Sequence, residues 1–528
     1  MFRMRNKKSV QAGYQIYRAN PAIRSRVLKL LEELSDLNLN LQSNYIDSNF
    51  ILGIDIDLEL VCRQYLNKFL YRRLTLEIYR SIGSNRNIIF PLPSEVFHIF
   101  EKNDFSINKK CSSLLWVVFI IGCFFVGFIE FWKVLFENFN RQNPKVSLSR
   151  SAFFVGFHDN TIYKENYSEN IVEWFMRNFS KKFELDAALI DCNDKNEWLK
   201  TSRSENLMAY PYLVNLSFSE RLFFVKDILR FFFNNLFVSN ELNKWSLFLF
   251  KEIVSYFKFK NINPKWIPRY FLFPNNFWLY RPLWTYYHEI SGGEIIMYFY
   301  STNIKNLLTN RGEYFSPVGL KNINFHTYIV WDEYQKKTLM ENVCDISPNI
   351  YVVNQEIPYT RKLYLNDSIL LIDKNKFVCT FFPVDPFVDI LEMSCALPSD
   401  VYSVNEVVKT VRMLSDVVAD LNGQLIIKTK RGITNNHHPI YSKLLKDLEV
   451  EGKIILVGDD VNIQSICKIS TFVLGSPFTS AVKVSNFAET KSAYFISDKS
   501  ILHFYNGNFE GISIIAGEVE LRKYLRAR

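Results

Sequence analysis

From residue 377 onward short apolar runs alternate with amphipathic stretches, and few folds accommodate that pattern. The run 377–382 reads as a strand. Ser403-Val404-Asn405-Glu406 then has capping-box spacing, and Val404, Val407, Val408, Val411, Leu414 and Val418 recur at helical intervals. Asn422-Gly423 stops that helix, and 424–428 is the next strand. A helix over 441–448, a strand over 453–457, a helix over 461–468 and strands over 471–475 and 493–496 complete the series. Such alternation predicts a parallel sheet with right-handed crossovers, whose ligands sit at the carboxyl ends of the strands.

The 528-residue chain is too long for one ordinary core, so a second domain is expected ahead of this one. From Ser151 short apolar runs again alternate with helices. Strands are predicted over 152–157, 183–190, 294–300, 326–330 and 350–353. Two long aromatic-rich helices fall between 216 and 259, and a helix over 281–290 is ended by Gly292-Gly293. The pattern implies a Rossmann-like domain over 150–365 and, after a crossing segment at 355–367, a second Rossmann-like domain over 366–528. Residues 1–110 read as a basic, mostly helical segment. Asn20-Pro21 starts one of its helices, and Leu28, Leu30, Leu31 and Leu34 form the apolar side. The expected fold class is therefore α/β, two Rossmann-like domains preceded by a helical, membrane-associated N-terminal segment.

That association is expected from residues 111–129, which carry no charge and are flanked by Lys109-Lys110 and Glu130. The stretch just reaches the length of a membrane span, and a hydrophobic anchor helix is expected over 111–136. Three readings stay open: a single span, a monotopic or re-entrant anchor, and a buried core helix. The basic start of the chain runs into an amphipathic helix rather than an apolar leader, so the catalytic part is expected in the cytosol. There, Arg3, Arg5, Lys7, Lys8, Arg18, Arg24, Arg26 and Lys29 make either a solvated arm or a contact for anionic lipid. The formal charge of +9 comes from 63 basic and 54 acidic residues spread along the chain, which argues against a nucleic-acid binder. Eight cysteines lie far apart without Cys-x-x-Cys spacing, so neither a zinc site nor a disulfide framework is indicated, and a reducing compartment fits.

Two segments at predicted strand ends carry candidate chemistry. Lys428-Thr429-Lys430-Arg431-Gly432 places three cations where an apolar strand stops, suited to neutralising a phosphate or diphosphate. Gly475-Ser476-Pro477-Phe478-Thr479-Ser480-Ala481 breaks a strand with Pro and small hydroxylated residues before a helix, where free N–H groups bind anions. A solvated basic turn and a simple helix cap would account for each segment alone. Their joint position at the ends of one sheet is what favours a ligand. In the first domain, His158-Asp159 follows a strand and is the candidate general base for an acceptor hydroxyl. No Asp-x-Asp element stands at a strand end, so no metal is expected.

Ser476-Pro477-Phe478-Thr479-Ser480, together with the Lys428–Arg431 element, resembles the bacterial polysaccharide biosynthesis proteins named for their PFTS motif. The likeness extends upstream through Arg281-Pro282-Leu283-Trp284, Tyr298-Phe299-Tyr300-Ser301-Thr302 and Val330-Trp331-Asp332-Glu333, covering about 280–500. It implies a GT-B-like glycosyltransferase of capsule, O-antigen or similar glycan assembly, with Lys428, Lys430, Arg431, Ser476, Thr479 and Ser480 as donor-phosphate contacts. Where the family tends to show Phe-Asp-Val before a Pro, this chain has Phe382-Pro383-Val384-Asp385-Pro386, so Asp385 stands in for the missing Asp. His437-His438-Pro439 is similar to the His-Pro element of transferases that use CMP-sugars, which brings His438 into the donor site and suggests a CMP-sugar donor. The implied partners are a nucleotide-sugar co-substrate, with no other cofactor, a glycan or lipid-linked glycan acceptor, and the cytoplasmic face of the bacterial inner membrane. The competing reading is a non-catalytic, membrane-associated scaffold of the same assembly machinery.

Overall fold

A computed structural model of the chain describes residues 7–35, 52–137, 147–158, 167–191, 207–210, 214–236, 240–277, 279–302, 307–308, 314–315, 319–343, 347–358, 360–362, 372–373, 375–386, 403–429, 437–458, 461–498 and 511–527. The strands are β1 Ser151–His158, β2 Tyr167–Asn170, β3 Ala187–Asp191, β4 Leu207–Ala209, β5 Tyr270–Pro274, β6 Glu294–Tyr298, β7 Leu307–Leu308, β8 Tyr314–Phe315, β9 Thr327–Val330, β10 Asn349–Val352 and β11 Thr360–Lys362. They continue with β12 Phe377–Phe382, β13 Gly423–Lys428, β14 Ile454–Val457, β15 Phe472–Gly475, β16 Ser492–Ile496 and β17 Ser513–Ala516.

Two large sheets result. The first has seven strands in the order β10-β9-β6-β5-β1-β3-β4, and the second six in the order β14-β13-β12-β15-β16-β17. Every pairing within both is parallel. Parallel strands covered on both faces need apolar residues throughout, and β5 and β12 are buried at every position. The chain is thus an α/β protein with two parallel sheets. The 360–362 part of the crossing segment forms β11, which pairs antiparallel with β2.

Most predicted elements are present, their ends shifted by a few residues. The helix predicted after Ser403 is Val404–Asp420, and only half of its capping box forms. Ser403 Oγ accepts from Glu406 N at 3.2 Å, but the Glu406 carboxylate accepts from Ser497 N at 2.8 Å and from Ser497 Oγ at 2.9 Å. Glu406 therefore ties the start of this helix to the end of β16, and burial pushes its carboxyl above the usual range. The expected strand over 183–190 is confined to β3, and the helix expected over 281–290 begins at Trp284. Between 216 and 259, where two helices are predicted, the described residues form the helices Phe218–Leu236, Asn240–Phe248 and Phe250–Lys260.

The N-terminal helices are Lys7–Ala19, Pro21–Ser35, Leu58–Ser84, Phe97–Lys102 and Lys109–Phe136. Asn20 caps the second of them, Oδ1 accepting from Ala22 N at 3.0 Å and Ile23 N at 3.2 Å. Leu28, Leu30 and Leu31 are buried in a core continuous with that of the first sheet. Gln64 joins the two parts, its side chain accepting from Arg281 N at 3.2 Å and donating to Asn322 O at 2.5 Å. Lys109–Phe136 is, among the described residues, the helix long and apolar enough to cross a membrane, yet its apolar window is mostly exposed rather than enclosed.

Candidate functional site

In each sheet the chain starts in the middle and works outward in both directions, leaving a crevice where adjacent strands send their following segments to opposite sides. In the first sheet that switch lies between β1 and β5, and in the second between β12 and β15. Loops diverging there expose backbone N–H groups to a ligand, so these are the positions where open α/β sheets bind. His158 ends β1 and so borders the first crevice, while Asp159 lies outside the described residues. The PFTS segment follows β15 and so borders the second.

The ends of the second sheet are in register. Phe381 pairs with Ile427, and Phe382 with Gly475, so Lys428, Phe382 and Gly475 stand side by side. At a strand spacing of about 4.8 Å, the Lys428 and Gly475 backbones are roughly 10 Å apart, within span of one diphosphate. The Lys428 side chain is itself buried and donates to Gly458 O at 3.0 Å, holding the end of β14. Lys430 and Arg431, the two further cations of the element, lie outside the described residues.

Each hydroxyl of the PFTS segment is engaged. Ser476 Oγ accepts from Val384 N at 3.1 Å, tying the loop after β12 to the loop after β15. Thr479 Oγ1 turns back to Ser476 O at 2.9 Å. Thr479 is the N-cap residue of the helix Ser480–Phe487, and because its hydroxyl points backward no side chain caps that helix. Ser480 Oγ meets Thr302 N and Thr302 Oγ1, each at 3.1 Å. Phe478 has φ 64°, and among the described residues it is the one positive-φ non-glycine that is not Asn, Asp or Glu. A bulky side chain in the left-handed region is a steric outlier, of the kind that surrounding structure must hold in place.

The same segment closes on the first sheet. Thr302 follows β6, and Asp332 follows β9. The Lys483 ammonium lies 2.5 Å from Asp332 Oδ2, and both side chains are buried. Asp332 Oδ1 also accepts from Gln335 N at 2.8 Å, capping the helix Glu333–Met340, and Gln335 Nε2 donates to Ser301 O at 3.0 Å. Trp331 packs its ring near that of Phe487 at 6.2 Å. The carboxyl ends of the two sheets therefore face one another through the PFTS helix. Sequence reasoning attached no role to Asp332, Thr302 or Lys483. The signal was present, since Asp332 and Thr302 lie in two of the segments that carry the family likeness.

Asp385 is buried after β12. Its Oδ1 accepts from Tyr441 Oη at 2.9 Å, and His437 Nε2 is 3.9 Å from Oδ2. Burial, reinforced by the Asp385 charge, raises the Tyr441 phenol well above its usual range, so it stays protonated as the donor. His438, the histidine predicted to contact the donor, is the N-cap of the helix Pro439–Val450, its Nδ1 accepting from Ile440 N at 3.3 Å. The His438 backbone N donates to Pro386 O at 2.8 Å, which with the Tyr441–Asp385 bond holds the turn leading into this helix beside the loop after β12. Among the described residues no group of three or more His, Cys, Asp and Glu gathers that could hold a metal ion.

Fold and site together define a two-sheet α/β protein whose PFTS turn sits at the switch between β12 and β15 of its second sheet. Residues 224–525 match the polysaccharide biosynthesis PFTS motif proteins, and the chain belongs to that family. Among solved structures it is similar to the wall teichoic acid polymerase TagF, at 11% identity and TM-score 0.38, over 76% of this chain and 88% of that one. It is also similar to the UDP-GlcNAc 2-epimerase of Methanocaldococcus jannaschii, at 10% identity and TM-score 0.37, over 71% of this chain and 91% of the other. No curated protein matches it.

Proposed function

We propose that the protein is a glycosyltransferase of bacterial surface-polysaccharide synthesis. It transfers a sugar from a nucleotide-activated donor to a glycan or lipid-linked glycan at the cytoplasmic membrane face. The observation that supports this most is the PFTS turn at the switch between β12 and β15, ending in a helix with no side-chain cap and set against the strand ends of the other sheet. An uncapped helix start offers N–H groups and a partial positive charge to a phosphate. Lys430 and Arg431, which follow β13 in the sequence, supply the counter-charge. His158, at the switch of the first sheet, or the adjoining Asp159 takes the acceptor proton.

The test is a thermal-shift screen of nucleotides and nucleotide sugars, since binding stabilises the folded state by mass action. CMP is included because of the His437-His438-Pro439 element. Losing a charge-assisted contact costs about 1.5–3 kcal/mol, roughly ten- to a hundredfold in affinity. Lys430→Ala and Arg431→Ala are expected to weaken donor binding by that much, and Thr479→Ala by less because the backbone N–H groups remain. His158→Ala or Asp159→Asn should lower transfer and donor hydrolysis without changing donor affinity. Absence of any nucleotide shift, with no donor hydrolysis, would replace this reading by the non-catalytic scaffold.

A further inference from the structure

The helix Lys109–Phe136 is fastened along one side over its whole length. Near its start Trp116 meets the rings of Trp245 and Phe248 at 5.8 and 5.6 Å. In the middle Gly127 lies so close to the next helix that a Cβ would stand 2.6 Å from Phe250 Cδ1 and 2.7 Å from Lys251 N. At its end Arg221 donates to Leu135 O at 2.7 Å and to Glu137 O, and Lys258 pairs with Glu137 at 2.8 Å. The opposite side carries Leu114, Val118, Phe125, Ile129 and Trp132, all exposed.

The helix Phe218–Leu236 runs antiparallel beside the second half of this one, Phe224 against Phe131 at 5.7 Å and Phe232 against Phe124 at 6.3 Å. It exposes Phe218, Leu222, Leu229 and Phe233, which share one helical face. Of 23 large apolar side chains exposed among the described residues, ten lie on the first helix and five on the second. That concentration makes one continuous apolar surface, which marks an interaction site rather than scattered exposure.

Charge identifies the occupant. Lys110, Lys226 and Arg230 are exposed on these two helices. Their acids are turned to partners: Glu130 to Lys133 at 3.7 Å, Asp227 to Lys260 at 3.4 Å, and Glu220 to the backbone of Ser217 at 2.6 Å. An apolar face bordered by cations fits an interface with anionic headgroups. The flanking helix Phe250–Lys260 buries Glu252 and Lys258 against the body of the protein, and such a helix cannot follow Lys109–Phe136 into hydrocarbon.

We propose that Lys109–Phe136 and Phe218–Leu236 form a single monotopic docking surface, lying in the plane of an anionic bilayer rather than crossing it. This deepens the membrane-face part of the proposed function and rests on that part alone. The test is flotation of the purified full chain with vesicles of phosphatidylcholine, alone or mixed with phosphatidylglycerol. Co-flotation is expected to be stronger with phosphatidylglycerol and weakened by salt. Phe125→Glu with Phe233→Glu should lower partitioning at least tenfold. Lys226→Glu with Arg230→Glu should remove the preference for phosphatidylglycerol, about fivefold per residue. Unchanged circular dichroism and urea unfolding show that these variants fold. Topology is read by an impermeant maleimide on inverted membrane vesicles of the producing cell, using Ser106→Cys and Ser149→Cys, which flank the first helix. Labelling of both from one side is expected. Labelling from opposite sides overturns in-plane docking and leaves the membrane reading standing. Failure to float, with nucleotide binding intact, overturns docking and the membrane location but not the transfer chemistry. A dimer that Phe125→Glu dissociates, with no flotation, assigns the face to a second copy of the chain.

Discussion

Lys483, in the helix that begins with the PFTS serine, is ion-paired to Asp332 at the end of β9, Nζ to Oδ2 2.5 Å. The pair joins the two sheets at the crevice where their carboxyl ends meet. Two charges taken out of water are held there by each other, so removing either leaves the other uncompensated.

Lys483→Met is therefore expected to destabilise the folded chain by about 3–5 kcal/mol, read from urea unfolding. Asp332→Asn keeps an oxygen to accept from Gln335 N, and combined with Lys483→Met it should cost less than the two single changes summed. Additive losses would mean that the pair carries no coupling between the sheets.

Gly475 marks how tightly the PFTS turn is built. A Cβ there would stand 2.4 Å from Val482 Cγ2, 2.5 Å from Thr479 Oγ1 and 3.2 Å from Phe382 O. Gly475→Ala must push the helix start away from the strand end, at a cost of about 1–3 kcal/mol. The loss of stability should be accompanied by weaker nucleotide binding in isothermal titration. Normal affinity in a destabilised variant would separate the turn from the donor site.

The second sheet was legible because each strand is a short apolar run bounded by turn residues and followed by an amphipathic helix. β5 was not read. Tyr270-Phe271-Leu272-Phe273-Pro274 follows helices as aromatic as itself, so neither period nor composition separates it from them. Without β5 the switch beside β1 has no second side, so His158 could be placed at a strand end but not at the switch. In the second sheet the ends of β13 and β15 were correctly placed. The bond from Lys428 to Gly458 O was not legible, because that acceptor belongs to the end of another strand. The Lys483–Asp332 and Ser480–Thr302 contacts join the PFTS helix of the second sheet to the strand ends of the first, and no local pattern encodes them.

His288 supplies a pH signature remote from the site. Its ring is enclosed by Phe259, Phe271 and Trp284, and Nε2 lies 2.9 Å from Arg269 O. Burial depresses its pKa to about 4 from an ordinary 6.5. A histidine so depressed stabilises the fold fully above 6.5, and that contribution is lost as pH falls towards 4. From the shift, the loss is at most about 3 kcal/mol. Melting temperature should decline between those values, and His288→Gln, which can still donate to Arg269 O without titrating, should decline less steeply. Equal slopes would place the acid sensitivity elsewhere.

Phe478 gives the sharpest test of the PFTS backbone. Its φ of 64° lies in the left-handed region, where a side chain costs roughly 1–2 kcal/mol and glycine nothing. Its ring packs near Tyr494 at 5.8 Å, which offsets part of that strain. Phe478→Ala discards the ring and keeps the strain, whereas Phe478→Gly discards both. The glycine variant should therefore be more stable than the alanine variant by about 1 kcal/mol, the reverse of their order in a helix interior. If the conformation serves the donor, the glycine variant should also bind nucleotide more weakly than the native chain despite its relieved backbone, because a freer turn no longer presents its N–H groups in one arrangement. Urea unfolding and isothermal titration of the two variants separate these effects. An alanine variant as stable as the glycine one would show that φ at 478 is not left-handed in solution.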